Sequence, residues 1–313
     1  MKTTREEKKT SNMEKIKFPY RSARHLALLH IVAESGGWKK QGLSVEYDFY
    51  VDPEEAHVLL KKGKVQFIGG NHITPYIKRA TGDDWIYVGQ SANYIGQAIV
   101  VKKDSKIKKL EDLRGKTLGA KGTGGPHTWL NAWLTLQKNG LEKAVKIEKV
   151  FKRGRVWKGV QEGDYEAAIV GRPDDLVARR DGMRTISLPL LPMIVFTTVS
   201  TTGKFVRENG ELIKRFLKGL GSGIRFFKAN KKRSMEILSS TLPKERGGGD
   251  KEMIEHYYRD LSETLTETLY PTMDAIYNVY AEACRYNSAA KKVNPLELWD
   301  LHFLRQLRDA REL

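Results

Sequence analysis

The sequence predicts an α/β protein of two lobes that ends in a helical region. Between about residue 15 and residue 101, short apolar strands alternate with amphipathic helices, and the same alternation restarts after Val101. After Gly203 the pattern is helical. Alternating strands and helices are typical of a mostly parallel sheet with helices on both faces. We therefore expect two α/β units built in this way.

The simplest assembly inserts the second lobe into the first. We expect residues 1–13 to be a disordered tail, residues 14–100 and 199–313 to form the first lobe, and residues 101–198 to form the second. The C-terminal helices complete the first lobe. The crossings near Val101 and Thr198 are then the hinges between the lobes.

Local patterns predict the elements of the first lobe. Residues 24–35 carry an apolar face before Gly36-Gly37, which predicts a helix with a glycine stop. Asp52-Pro53 predicts the start of the next helix, with the aspartate as N-cap and the proline in the first position. Strands are predicted at 15–20, 44–50, 64–68, 85–90 and 97–101, and a further helix at 73–80.

The second lobe and the C-terminal region follow the same reasoning. Gly140 and Gly163 end two predicted helices, at 128–139 and 156–162. Strands are predicted at 117–120, 146–151, 167–170, 185–190 and 194–199. Helices after Gly203 are predicted at 211–229, 232–239, 251–265 and 271–287.

The formal net charge is +17, and the sequence pI is near 9.7. Such a balance is compatible with a nucleic acid, a membrane surface or a small anion as partner. Acidic residues interrupt most basic runs, and zinc-finger spacing and an aromatic RNP strand are both missing, so we expect no nucleic-acid partner. The single cysteine, Cys284, excludes an intrachain disulfide and a cysteine-based zinc site. We expect no metal and no cofactor.

Residues 1–14 are charged and polar and lack the apolar core of a signal peptide. No stretch approaches the roughly 18 apolar residues that a transmembrane helix requires. As written, the sequence predicts a cytoplasmic protein. If a leader was removed, the expected location is periplasmic or extracellular.

Two glycine-rich turns follow short apolar strands and precede helical segments. They are Gly69-Gly70-Asn71-His72 and residues 121–127, Lys-Gly-Thr-Gly-Gly-Pro-His. Backbone amides at the start of a helix attract anions. Ligands on such sheets bind beyond the carboxyl ends of the strands. The two turns therefore predict one small anionic ligand clamped between the lobes.

The order and spacing of several segments resemble a known family over about residues 16–287. The segments are 30–34 (HIVAE), 42–46 (GLSVE), 60–70 (LKKGKVQFIGG), 100–107 (VVKKDSKI) and 110–119 (LEDLRGKTLG). They are similar to the periplasmic-binding-protein-like type II superfamily. Within it the chain most resembles the aliphatic sulfonate, nitrate and taurine binding proteins and the related thiamine-pyrimidine-synthase-like proteins.

The resemblance implies a two-lobed substrate-binding protein that serves an ABC transporter permease. Relatives of this type are usually exported, whereas this sequence shows no leader. The superfamily also contains cytoplasmic enzymes. A sulfinate desulfinase branch carries a cysteine after the first strand, where this chain has Tyr20-Arg21-Ser22-Ala23-Arg24, and the pyrimidine synthases carry a cysteine-rich iron motif. A dihydroxyphthalate-decarboxylase-like branch stays open.

Candidate ligand-binding residues lie in the two glycine turns and at predicted strand ends. They are Arg21, Ser22, Gly70, Asn71, His72, Asn93, Tyr94, Gly122, Thr123, Gly124, Gly125, His127 and Arg172. An arginine fork donates two parallel hydrogen bonds to a carboxylate, sulfonate or phosphate. The alternatives are an exposed arginine at a helix start for Arg21 or Arg24, and a salt bridge with Asp174 or Asp175 for Arg172.

Aromatic residues are further candidates for the walls of the site. Trp129 and Trp133 are four residues apart on one helix face, which is typical of packing, so they are not included among the ligand contacts. The predicted function is binding of a small organic anion, such as a sulfonate or carboxylate, without catalysis. The alternative is a cytoplasmic lyase or decarboxylase acting on an aromatic acid through His72 and Arg21.

Overall fold

The computed structural model describes residues 13–21, 23–122, 127–151, 154–244 and 248–313, with the backbone alone at 23, 24, 127 and 128. Within these residues the chain is a mixed α/β protein with a two-stranded, a three-stranded and a five-stranded sheet and a C-terminal helical region. We call the two smaller sheets, which adjoin, the first sheet and the five-stranded sheet the second sheet. The predicted fold class is therefore confirmed. None of the described helices is both long enough and apolar enough to cross a membrane.

The first sheet is built from strands at both ends of a long excursion of the chain. Its strands are β1 (Glu14–Lys17), β2 (Leu43–Glu46), β3 (Ile68–Gly69), β4 (Trp85–Ile95) and β10 (Leu191–Thr202). β1 runs parallel to β2, and β10 lies antiparallel between β3 and β4. The Gly69 amide donates to the Pro19 carbonyl at 3.3 Å, which joins the continuation of β1 to β3.

The second sheet is formed by strands from the middle of the chain. They are β5 (Gln97–Val101), β6 (Thr117–Lys121), β7 (Lys146–Val150), β8 (Ala167–Gly171) and β9 (Arg184–Ser187). Their spatial order is β7-β6-β8-β5-β9. β6 runs parallel to β7 and β8, whereas β5 runs antiparallel to β8 and β9.

The expectation of mostly parallel sheets is wrong, because both sheets mix the two directions. In the first, β10 is antiparallel to both neighbours, and in the second the same holds for β5. The cause is connectivity. β5 enters the second sheet directly from β4 through Gly96, and β10 enters the first sheet from β9 after a short link, so neither strand is reached from a neighbour of its own sheet through the helical crossover that makes neighbours parallel.

Helices surround both sheets. Those before β10 are α1 (Ala23–Glu34), α2 (Pro53–Lys61), α3 (Thr74–Arg79), α4 (His127–Lys138), α5 (Lys158–Glu162) and α6 (Asp174–Arg180). Those after it are α7 (Gly203–Glu208), α8 (Gly210–Ala229), α9 (Lys231–Thr241), α10 (Lys251–Thr264), α11 (Met273–Tyr286) and α12 (His302–Asp309). The predicted start of α2 is confirmed, since the Asp52 carboxylate accepts from the amides of Glu54 and Glu55.

The core beside the first sheet is aromatic. The rings of Phe67 and Phe216 stack with centroids 4.2 Å apart, and Phe18 meets Phe216 edge-on at 5.0 Å. Phe18 and Phe67 lie next to β1 and β3, and Phe216 lies on α8, so the core ties the first sheet to a helix that comes almost 150 residues later in the chain. The second sheet has its own buried clusters, which include Ile99 and Leu118.

The two sheet regions meet through helices. Leu130 and Leu134 of α4 belong to the same buried apolar cluster as Ile276 and Val279 of α11. On α6, charged side chains pair with α10 and the residue before it. The chain passes from one sheet to the other at Gly96 and between β9 and β10. The lobe bounds predicted from the sequence stay a prediction.

Candidate ligand-binding site

The carboxyl edge of the first sheet brings three chain segments together. Tyr20 and Tyr50 form a parallel bridge beyond β1 and β2, and the Val51 amide donates to the Tyr20 carbonyl at 3.2 Å. The Gly70 amide, just after β3, donates to the carbonyl of Thr198 at 3.0 Å. Residues that follow β1, β2 and β3 in the sequence are therefore neighbours at one edge.

Arg21 is held at this edge by contacts to both neighbouring segments. Its Nε donates to Asn71 Oδ1 at 3.1 Å, and its Nη1 donates to the Val51 carbonyl. The guanidinium carbon lies 5.9 Å from the centroid of the exposed Tyr50 ring. The predicted cationic residue is thus oriented by an amide side chain and a backbone carbonyl, beside an aromatic ring.

The electrostatics at Arg21 combine burial with nearby acids. Burial lowers the pKa of Arg21 from its usual value, and Tyr50, Asp52 and Glu55 oppose that shift. An arginine remains protonated throughout the range in which proteins are folded. The edge therefore offers a permanent positive charge in a half-buried setting, where an ion pair is stronger than in open water.

The first glycine turn has the backbone conformation that its sequence suggests. Gly70 has φ of 100° and Asn71 has φ of 63°. A Cβ on Gly70 would lie 2.7 Å from His25 Cε1 and 3.2 Å from Arg21 Cβ. Glycine at position 70 thus permits both the positive φ and the close approach of Arg21.

His72 is engaged with the protein itself. Its Nε2 lies 3.1 Å from the carbonyl oxygen of Phe196 and must donate there, since a carbonyl only accepts. The residue is 8% exposed, and the Tyr87 hydroxyl donates to the preceding carbonyl of Asn71 at 2.9 Å. This arrangement fixes the turn against β4 and β10. A ligand contact by His72 stays a prediction.

Asn93 and Tyr94 occupy different environments near the end of β4. Asn93 is buried; its Nδ2 donates to the Tyr270 carbonyl at 2.8 Å and its Oδ1 accepts from the Thr272 amide at 3.0 Å. Both ends of this amide therefore anchor the segment before α11. The ring of Tyr94 is partly exposed.

Arg172 lies just after β8 and reaches toward α10. Its Nη1 is 2.6 Å from Glu263 Oε2 and 3.3 Å from Asp260 Oδ1. From the sequence, either a ligand contact or a salt bridge with Asp174 or Asp175 was open. The structure shows that Arg172 forms salt bridges with two other carboxylates, and its contact with a ligand stays a prediction.

The second glycine turn is described in part. Ser22, Thr123, Gly124 and Gly125 lie outside the described residues, as does the side chain of His127, whose backbone begins α4. The Gly122 amide donates to the Val150 carbonyl at 2.9 Å, and a Cβ there would lie 2.9 Å from Phe151 Cε1. Phe151 is 63% exposed, so an apolar ring stands in solvent beside this turn.

The tryptophans of α4 are covered by cations. Lys149 Nζ lies 3.5 Å from the Trp129 ring centroid, and the Arg285 guanidinium lies 5.5 Å from that of Trp133. These contacts agree with the packing interpretation of the two rings.

Metal binding finds no support among the described residues. They contain no group of three or more His, Cys, Asp or Glu side chains arranged to hold a metal ion. Cys284 is a half-buried free thiol on α11.

The comparison with known families decides the classification. Residues 25–234 match the family described as NMT1/THI5 like, and this match spans more than half of the chain. The chain belongs to the NMT1/THI5-like family. The resemblance found in the sequence is thereby confirmed. No curated protein sequence matches the chain.

Solved structures extend the NMT1/THI5-like match to the whole fold. The periplasmic sulfonate-binding protein SsuA from Methylobacillus flagellatus, a putative ABC transporter component, aligns with a TM-score of 0.71 at 18% identity, covering 96% of each chain. The alkanesulfonate-binding protein SsuA from Xanthomonas axonopodis, bound to MOPS, gives 0.61 at 16% identity, covering 92% of this chain and 98% of that one.

A eukaryotic protein shares the same architecture. A Candida albicans gene product, described as having the generic periplasmic binding protein fold, aligns with a TM-score of 0.60 at 14% identity over 95% of each chain. At these identities the comparisons establish the fold. The fold of this NMT1/THI5-like chain is therefore that of the periplasmic binding proteins.

Sequence reasoning missed two residues at the Arg21 edge. Tyr50 is the last residue of the predicted strand 44–50, as Tyr20 is of the predicted strand 15–20. Their position at the same edge of the sheet could have identified Tyr50 as a candidate site residue. Phe196, whose carbonyl receives His72, lies inside β10 with φ of 66°, and no local pattern marks such a residue. Its contact depends on the register between distant strands.

Proposed function

We propose that this chain is a substrate-binding protein that holds a small organic anion between two lobes for an ABC transporter permease. The ligand classes are sulfonates, including taurine-like compounds, and carboxylates; nitrate, an inorganic oxyanion, is a further candidate. The observation that carries the proposal is Arg21, which two neighbouring segments orient at the carboxyl edge of the first sheet. The solved relatives named for sulfonate binding support the same class of ligand.

The donors of Arg21 support a direct contact with the anion. A guanidinium carries five N–H donors. The hydrogen bonds to Asn71 and Val51 use Nε and one donor on Nη1, and a further side-chain hydrogen bond joins Arg21 to Tyr50. The donors that are left can serve an incoming oxyanion. Because Nε is taken by Asn71, the anion approaches the Nη1–Nη2 end of the fork. Carboxylates and sulfonates can both accept two hydrogen bonds there.

Exposed aromatic rings support an apolar body on the ligand. Tyr50 stands beside Arg21, Tyr94 near the end of β4, and Phe151 beside Gly122. Burying such rings against a ligand removes apolar surface from water. In the proposed closed form, the Gly70 turn and the Gly122 turn hold the charged end of the ligand, and the rings cover the rest.

We assign His72 no catalytic role. Its Nε2 donates to the Phe196 carbonyl, so this nitrogen is engaged with the protein itself. The proposal therefore includes no catalytic residue. A receptor for a transporter works outside the cytoplasm, so the proposed function requires export.

The test is a ligand screen by thermal shift followed by calorimetry. Ethanesulfonate, MOPS, taurine, nitrate, benzoate and butyrate are added to the protein, and at least one should raise the melting temperature by mass action. The Arg21→Gln variant should bind that ligand about 10- to 100-fold more weakly, since a hydrogen bond to a charged group contributes about 1.5–3 kcal/mol.

The matched control is Arg79→Gln. Arg79 is also half-buried and donates to a backbone carbonyl, that of Asp83, but it lies at the far end of α3. This variant should keep the affinity. Absence of any shift with all six compounds, or equal losses in both variants, would overturn the proposal.

A further inference from the structure

The two sheet regions touch along two helix pairs of opposite character. On one side α4 packs against α11 through apolar side chains. On the other side α6, which follows β8, faces α10 through charged side chains. We propose that the α6–α10 contact is an electrostatic latch that closes the ligand-free chain, with the α4–α11 contact as the pivot.

The latch consists of ion pairs along the full length of α10. At its start, Arg180 Nη1 lies 2.5 Å from Asp250 Oδ2 and Nη2 lies 2.5 Å from Glu252 Oε2. At its other end, Arg172 Nη1 lies 2.6 Å from Glu263 Oε2. Each arginine comes from the second-sheet region and each acid from the C-terminal helical region.

The middle of the contact is less accessible to water. His256 Nε2 lies 2.9 Å from Asp175 Oδ1, and both residues are buried. Arg179 Nη1 lies 3.2 Å from the other oxygen of Asp175, so this carboxylate joins α10 to α6's own last turn. Leu176, the next residue on α6, is buried in the apolar cluster that contains Met253 and Tyr257 of α10.

The contact between α4 and α11 does not depend on charged side chains. Leu130 and Leu134 are fully or almost fully buried in the cluster with Ile276 and Val279. Separating α4 from α11 would expose this apolar surface to water, whereas separating α6 from α10 exchanges the ion pairs for hydrated charges and exposes Leu176 of α6. The second separation is the easier one, so opening proceeds on the α6–α10 side.

The latch belongs to the chain without ligand and stands whether or not the proposed binding function is correct. Exposed ion pairs are weak individually, but here they act on an equilibrium between two arrangements of one folded chain. Removing both contacts of Arg180 should raise the ratio of open to closed molecules about three- to tenfold.

The experiment measures the distance between the two regions by double electron–electron resonance. Spin labels are placed at Lys158→Cys on α5 and Ser239→Cys on α9, in a Cys284→Ala background; both labelled positions are exposed. Ligand-free protein should give one main distance. Arg180→Gln should add a longer distance, and 1 M NaCl should do the same without the mutation, because salt screens exposed pairs.

Arg233→Gln is the matched control. Arg233 also pairs with two carboxylates, Glu34 and Glu236, but all three lie beside the first sheet, so the distance distribution should not change. If Arg180→Gln does not fold, as judged by circular dichroism, Glu252→Gln with Glu263→Gln takes its place. An unchanged distance in the latch variant, or equal broadening in the control, would overturn the latch.

Discussion

The position of Arg21 depends on a glycine, Gly70. Gly70 adopts a positive φ and brings its Cα close to Arg21 and His25, and the next residue, Asn71, then accepts from the guanidinium. An L-residue at position 70 meets both a disfavoured backbone conformation and a collision. The orientation of the cation is thus coupled to one glycine.

Gly70→Ala should lower the free energy of unfolding by about 2 kcal/mol or more and weaken anion binding. About 1 kcal/mol comes from the positive φ, and the rest from the clash with His25 and Arg21. Denaturant unfolding and calorimetry measure the two effects.

Gly82→Ala separates these causes. Gly82 has φ of 90°, close to that of Gly70, but a Cβ at this position would meet no atom within 4 Å beyond its chain neighbours. The Gly82→Ala variant should lose only the part of the free energy of unfolding that comes from the positive φ, and it should keep its affinity for the anion. Equal effects at the two glycines would contradict the role assigned to the close approach at Gly70.

At the scale of single residues, the sequence identified candidates but not their contacts. Arg21 and Asn71 stand out by their place after predicted strands, and the structure brings them within 3.1 Å. Asn93 stands out on the same ground, yet its amide binds the backbone of Tyr270 and Thr272. Those partners lie about 180 residues away, so no local pattern indicates them.

At the scale of elements, the close packing of α8 against α1 and the turn that follows α1 depends on two glycines one helical turn apart. A Cβ on Gly219 would lie 2.6 Å from Trp38 Cδ1, and one on Gly223 would lie 2.6 Å from Val32 Cγ2 and 2.8 Å from its Cα. The backbone of Val32 cannot move independently of α1. The helices therefore approach more closely than side chains at these positions would allow.

Gly223→Ala should destabilise the protein by about 1–3 kcal/mol. In an exposed helix the same change stabilises by about 1 kcal/mol, but here overpacking against Val32 outweighs propensity. Ser222→Ala, one residue earlier on α8, is the control and should be neutral or slightly stabilising. Urea unfolding measures both, and a stabilised Gly223→Ala would show that the helices can separate without cost.

Elements with strong local signals were predicted well, and irregular ones were not. The Asp52 cap of α2 is confirmed. The strand predicted at 64–68 is reduced to Ile68–Gly69, because the amides of Gln66 and Phe67 both approach the carbonyl of Lys17 and the regular ladder is lost. β4 extends to Ile95. The part that was not predicted contains buried polar residues such as Ser91, which lie beside β10, and a pattern of hydrophobic alternation does not detect such residues.

At the scale of the whole molecule, several groups couple stability to pH in the same direction. Burial lowers the pKa of His30. The His57 hydrogen bond lowers the pKa of Asp83, and Arg180 lowers that of Asp250 to about 2. Burial alone would raise the pKa of Asp175, but His256 and Arg179 together lower it. In each case the unfolded chain binds protons at a higher pH than the folded chain.

The melting temperature should therefore fall on acidification in two stages. The contribution of His30 is lost as pH falls below about 6.5, and that of the carboxylates is lost as pH falls from about 4 toward 2. Calorimetry from pH 8 to pH 2.5 measures the curve. Asp175→Asn should flatten the lower stage, whereas Asp104→Asn, at an exposed residue outside these groups, should leave the curve unchanged. A flat profile below pH 4 would contradict the assigned shifts.

Of the three scales, the arrangement of the whole molecule was the hardest to predict from the sequence. The two-lobed fold class followed from the restart of the strand and helix pattern after Val101. The charged contact between α6 and α10 joins Arg180 to Asp250 and Asp175 to His256, across 70 to 81 residues. Charged residues are common on amphipathic helices, so the sequence does not show which of them pair. The pairs form only when the complete lobes pack together.

The split construction of the first sheet has a consequence for synthesis on the ribosome. The second sheet uses one uninterrupted stretch, from Gln97 to Ser187, whereas β3 and β4 must wait for β10 to pair with them. Chains fold as they emerge, and contacts between distant segments form late. We therefore expect the inserted half to be native in a stalled nascent chain while the earlier-made half still exposes unpaired strands to chaperones.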